Sequence, residues 1–150
     1  MEMRKVILIA VLAVGLFAND IILKSSNKSV EATMNKLQNI VTKKGFTVFA
    51  VIDHQAGAAK VRMKLSPSKE IIFGNPKMGT VLMQEKMVVG LDLPIRVLVF
   101  EDKNKKTKVA YRDGAWLNAE HNLTKRKLLN KMNFTLDNII TEAGRKQWVE

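Results

Sequence analysis

The chain is 150 residues long, 47% apolar and 26% charged, with 25 Lys plus Arg against 14 Asp plus Glu. This composition suits one domain with a buried core and excludes disordered and collagen-like classes. Lack of cysteine removes thiolate nucleophiles, disulfides, Fe–S clusters and Cys-ligated zinc, and His54 and His121 alone cannot make a histidine-rich metal site.

Residues 1–18 read as a signal peptide. Arg4 and Lys5 form a basic start, 6–17 are an unbroken apolar run, and Ala18 offers a small residue for cleavage before Asn19. Twelve helical residues span about 18 Å, short of a hydrocarbon core of about 30 Å. Cleavage leaves one domain over 19–150, delivered most simply to a bacterial periplasm; an uncleaved N-terminal anchor is the alternative. Removing residues 1–18 takes away Glu2, Arg4 and Lys5, leaving 23 basic and 13 acidic residues, a net +10.

A short strand is expected at 21–23. Ser29 then caps a helix reaching Lys44, with Val30, Met34, Leu37 and Val41 on one face and Gly45 ending it. Residues 46–52 are apolar at nearly every position, which predicts a central strand covered on both faces, or at least one largely buried. A short helix is expected within 55–65, stopped by Pro67, and a strand at 70–73 runs into a Gly74-Asn75-Pro76 turn. One or two helical turns follow at 81–87. Pro94 opens a strand through Glu101, in which Ile95, Val97 and Val99 alternate with Arg96, Leu98 and Phe100. Residues 103–106 turn the chain, 107–112 return antiparallel, and a short helix follows around 116–121. Thr124 caps a last helix carrying Leu129, Met132, Leu136, Ile139, Ile140 and Ala143, weakened near its end by Gly144. The order predicts an α+β domain, a mainly antiparallel sheet with both long helices on one face and the other face free.

The segments 29–33, 45–48 and 51–54, then Phe73-Gly74-Asn75-Pro76 with Gly79-Thr80 and Leu82-Met83, and 91–94, resemble the DUF302 family of uncharacterised bacterial and archaeal domains. Tyr111 and 128–143 follow the same pattern, so the resemblance covers about 21–145. It implies a TATA-binding-protein-like β-α-β(4)-α arrangement and a tendency to homodimerise, but supplies no activity. The hairpin departs from the family pattern: Asn104-Lys105-Lys106 stand where a glycine-containing turn is usual.

Candidate chemistry is sparse. Asp53 and His54 end a strand, where side chains often line pockets, and His54 could serve as acid or base in a small hydrolase or lyase. Neighbours on a strand face opposite ways, so a structural role competes with that reading. Metal binding would require His54 and His121 to converge with Asp53 or Glu120, and thioether copper binding would draw on Met63, Met78, Met83 and Met87; neither set has ligand spacing. Within 73–80, Gly74 and Gly79 with Lys77 and Thr80 could hold an anion on backbone N–H groups, or the stretch is a rigid turn. Arg96 would need a carboxylate if buried, with Asp92 or Glu101 as candidates. Asp53, His54, Phe73, Asn75, Lys77, Thr80 and Arg96 are therefore the expected ligand-binding residues, with no cofactor and no metal. The expected role is an exported, non-enzymatic binding or interaction module taking a small ligand or protein partner. Nucleic acid is excluded because the densest lysines, 103–108, lack interleaved aromatics; weak attraction to an anionic membrane surface remains.

Overall fold

A computed structural model describes residues 21–145; the expected leader and the residues beyond 145 lie outside them. Strand β1 (Ile22–Ser25) leads to α1 (Val30–Lys43), and β2 (Thr47–Asp53) to α2 (His54–Lys60). Strand β3 (Ser68–Gly74) is followed by α3 (Pro76–Glu85) and a 3-10 turn at Met87–Leu91. The hairpin β4 (Ile95–Glu101) and β5 (Thr107–Tyr111) precedes α4 (Gly114–His121) and α5 (Arg126–Gly144). All strand pairs are antiparallel in the order β1-β5-β4-β3-β2. The expected β-α-β(4)-α frame is present, with short helices set into it.

The two long helices share one sheet face. Period-3.6 spacing sends Val30, Met34, Leu37, Ile40 and Val41 of α1 inward, and Leu129, Met132, Leu136, Ile139, Ile140 and Ala143 of α5 beside them. Period-2 spacing sends Ile71, Phe73, Ile95, Val97, Val99, Val109 and Tyr111 to meet them. Each buried Val, Leu, Ile, Met or Phe among them stabilises the fold by about 1.5–3 kcal/mol. Phe46 meets Phe73 edge-on, with ring centroids 5.6 Å apart.

Local signals work as read in α1: the Ser29 hydroxyl accepts from Ala32 N, and Gly45 takes φ +79° beyond the helix end. The hairpin turn manages without glycine. Lys105 itself adopts φ +61°, and Asp102 Oδ1 accepts from Asn104 N and Lys106 N at 2.9 Å each.

Several expectations are corrected. Strand β2 is an edge strand, with Phe49, Val51 and Ile52 substantially exposed; a register shift between Val48 and Ala50 marks a bulge. The Asn75-Pro76 turn is instead the start of α3: Asn75 caps it and Pro76 takes the first turn, where a missing N–H costs nothing. Helix α2 ends at Lys60, well before Pro67, whose carbonyl accepts from Glu101 N at 2.9 Å. Thr124 does not cap α5; Lys125 stands at that position without a side-chain bond, and Thr124 N donates to the Glu85 carboxylate. Gly144 is small for a packing reason, since a Cβ there would lie 3.1 Å from the Ser25 carbonyl oxygen.

Candidate functional site

The free sheet face is built by the outward members of the alternation. Across it run Leu23, Ala110, Leu98, Glu70 and Ile52 in one register row, with Ile72 and Arg96 in the next. Asp113 then accepts from Ala115 N and Trp116 N, starting α4 at the end of β5. A cleft of about 450 Å³ lies at this end of the sheet, lined by Glu70, Arg96, Leu98, Arg112 and Trp116 with Leu91 and Asp92, and reaching Tyr111, Leu117 and Met132 on the helix side.

Two cations face this cleft. Val97 pairs with Tyr111, so Arg96 on β4 and Arg112, the residue after β5, stand one residue beyond that pair. Like charges so placed on a sheet repel. The Arg112 guanidinium sits over the Trp116 ring, 4.7 Å from its centroid, a cation–π contact that pre-sets its N–H fork. Among the described residues the cations in ion pairs are Lys24, Lys69, Lys105, Lys108 and His121, and neither arginine. Asp92 is engaged elsewhere, its Oδ2 2.7 Å from His121 Nε2. Such a cleft can hold a small oxyanion on planar donors while apolar walls limit water.

The sequence-predicted residues disperse. Asp53 caps α2, accepting from Ala56 N at 2.8 Å and pairing with Lys69 at 3.4 Å. The Ala56 N–H, followed by the Lys69 ammonium, holds its carboxyl below the usual range, and Glu31 on the same Lys69 is lowered too, chiefly by that ammonium. His54 is exposed at the start of α2, away from the cleft that Arg96 and Arg112 line. Phe73 is fully buried on the helix side, so it is a core residue. Asn75 and Thr80 border an apolar cavity of about 210 Å³ between α3 and β4, with Phe49, Leu93 and Met83. Two of their oxygens are committed locally: Asn75 Oδ1 accepts from Met78 N at 3.2 Å, and Thr80 Oγ1 donates to Pro76 O at 2.8 Å. Gly79 N is likewise taken, by Asn75 O, so the expected backbone anion nest is a helix turn. Lys77 is exposed beside the start of α5.

Arg96 is exposed and needs no buried partner; Asp92 serves His121 and Glu101 binds Lys105 at 3.0 Å. Arg96 and Asn75 therefore line different cavities, and His54 lines neither of them. Among the described residues no three His, Asp or Glu side chains are grouped to hold a metal. Sequence reasoning missed Arg112 and Trp116; Arg112 became legible only with hairpin register, which carries the parity of Arg96 across to β5.

Comparison with known proteins gives the following. The family described as Domain of unknown function DUF302 matches residues 21–142. The crystal structure of an uncharacterised conserved DUF302 protein from Bacillus stearothermophilus superposes with a TM-score of 0.68 at 16% identity, over 85% of this chain and 97% of that one. At that identity the likeness concerns the fold. Proteins named Fluoride-specific ion channel FluC 1 from Brucella suis and Brucella abortus are 45% identical over 98 residues, 65% of this chain. The chain spans only 39% and 36% of the length of these curated relatives. Among the described residues no helix is long and apolar enough to cross a membrane.

Proposed function

Since the chain belongs to the DUF302 family of unknown function, its role must be argued from its own geometry, and we propose a non-catalytic binding module that takes a small carboxylate-type oxyanion between the free sheet face and α4. The observation that carries this is the pair Arg96 and Arg112, side by side at the end of a ladder without carboxylate partners and with one fork held over Trp116. An oxyanion bridging the two guanidiniums relieves their repulsion and receives bidentate bonds. The leader residues Arg4, Lys5 and the apolar run to Ala18 support a place outside the cytoplasm, and the exposed edge β2 supports pairing with a second copy.

Thermal denaturation of residues 19–150 against a panel of short mono- and dicarboxylates, phosphate and fluoride tests the reading. A ligand at a hundred times its Kd stabilises by about 2.7 kcal/mol, and R96Q or R112Q abolishes the shift. A panel without effect, or a shift surviving both substitutions together, refutes it.

A second reading has its own support. A segment 45% identical to this chain lies within much longer proteins named fluoride-specific ion channels, which favours a role beside a membrane channel. Deleting the gene then lowers the external fluoride concentration that halts growth; unchanged tolerance removes this reading.

A further inference from the structure

The stretch joining α2 to β3 belongs to neither the cleft nor the core. It reads Lys60-Val61-Arg62-Met63-Lys64-Leu65, cation and bulky aliphatic in strict alternation, and residues 54–68 contain no carboxylate. All six residues are exposed, Val61 at 65%, Met63 at 67% and Leu65 at 49%. Large aliphatic side chains left this far out of the core call for an apolar neighbour.

The display is built. Arg62 takes φ +59°, Arg62 N donates to Ala59 O at 3.0 Å, and Met63 N to Ala58 O at 2.9 Å. These are the two bonds of a Schellman ending, with arginine in the left-handed position where glycine is usual. That motif commonly tucks the next residue back onto its helix; here Met63 projects outward. Gln55 Nε2 then ties the far side of the loop through Leu65 O at 3.2 Å.

The loop also has company. Glu101 N bonds Pro67 O, which sets the β4–β5 hairpin at the same end of the sheet. Its Lys103 and Lys106 are exposed, and among the described residues neither they nor Lys60, Arg62 and Lys64 form an ion pair. The carboxylates nearby in sequence, Glu101 and Asp102, are occupied by Lys105 and Lys108. One end of the molecule thus presents five cations that form no ion pair among the described residues, around an aliphatic wedge tied by the bonds of Met63 N and Gln55 Nε2.

We infer that this end docks on an anionic lipid bilayer, the cations engaging headgroups while Val61, Met63 and Leu65 enter the acyl boundary. Charge complementarity favours an anionic surface, and the interleaved residues select lipid. Aliphatic chains gain from hydrocarbon, whereas a single-stranded nucleic acid would call for aromatic platforms.

Residues 19–150, which retain every described element, are sedimented with vesicles of phosphatidylcholine alone or with a quarter phosphatidylglycerol. The protein pellets with the anionic vesicles and stays in solution with the neutral ones. K60Q/R62Q/K64Q lowers partitioning about a hundredfold, from about fivefold per cation. V61S/M63S/L65S, with its charge intact, lowers it at high salt, where insertion outlasts the screened attraction. Unfolding curves matching the parent show that both variants fold. Failure to pellet with anionic vesicles overturns the inference, as does undiminished binding by either variant. So does loss of binding only when Lys125, Lys127 and Lys131 beside α3 are neutralised. Self-association without lipid that V61S/M63S/L65S abolishes, in protein that ignores vesicles, assigns the loop to a second copy and equally overturns it.

Discussion

Gly114 opens α4 where that helix crosses α5, and a Cβ there would stand 2.9 Å from the Leu129 carbonyl oxygen, 3.2 Å from Leu129 Cα and 2.9 Å from Asn133 Oδ1. The first two atoms are helix backbone and cannot yield alone. Asn133 could swing aside, but it accepts from Gly114 N at 2.7 Å, so its departure strands a part-buried donor. G114A therefore pushes the two helices apart. Overpacking costs about 1–3 kcal/mol and the hydrogen bond about 1 kcal/mol, together about 2–4 kcal/mol. For a domain of this size the midpoint falls by about 10 °C, measurable by thermal unfolding followed by circular dichroism. Because Trp116 lies two residues along α4, oxyanion binding in the cleft weakens as well. G57A is the control: nothing lies within 4 Å of a Cβ at Gly57 inside α2, and alanine there stabilises by about 0.5–1 kcal/mol. A G114A midpoint within 2 °C of the parent, about half a kcal/mol, would show that the α4–α5 approach is not tight and refute the packing argument.

N75A removes the cap of α3 and costs about 1 kcal/mol in urea unfolding, while ligand binding in the Arg96–Arg112 cleft is unchanged; a lost ligand shift would return Asn75 to the site. Acid destabilises the fold through Glu31, Asp53, Glu85 and Asp102, each held below its ordinary value: Glu31 by Lys69, the others chiefly by the backbone N–H groups of Ala56, Thr124 and Lys106. Depressed folded values mean that this stability is complete above the unfolded range near 3.8–4.5 and is lost as pH falls through the folded values. Urea midpoints flat from pH 7 down to 3 would contradict it. Burial pushes the Tyr111 hydroxyl up to about 12 from 10.0, so stability present below pH 10 declines as pH rises toward 12. Y111F abolishes that alkaline decline if Tyr111 is its source.

The long helices and the hairpin were legible because spacing alone decides which side chains face the core: Val30, Met34 and Leu37 recur by turns, Ile95, Val97 and Val99 by pleats. Strand β2 was misread because an unbroken run such as 46–52 looks alike whether a strand is covered on both faces or left at an edge; its place depends on pairing, which the run does not encode. Asn75-Pro76 was ambiguous for a different reason. The same two residues start a turn or cap a helix, and the choice rests with the helix-forming residues after them. The cleft joins Glu70 of β3, Arg96 of β4, Arg112 just beyond β5 and Trp116 of α4, and only the register brings them together. The alternation in 60–65 was open to view, but its meaning required knowing that no described element folds over it.

Strand β1 has β5 as its partner, Ile22 opposite Tyr111, and Gly144 of α5 receives a hydrogen bond from Asn27 N. The first described strand thus waits for the hairpin and α5 before its edge of the sheet can close. Contacts of such long separation form slowly. Until that closure β5 keeps an open edge, at which another extended segment can pair.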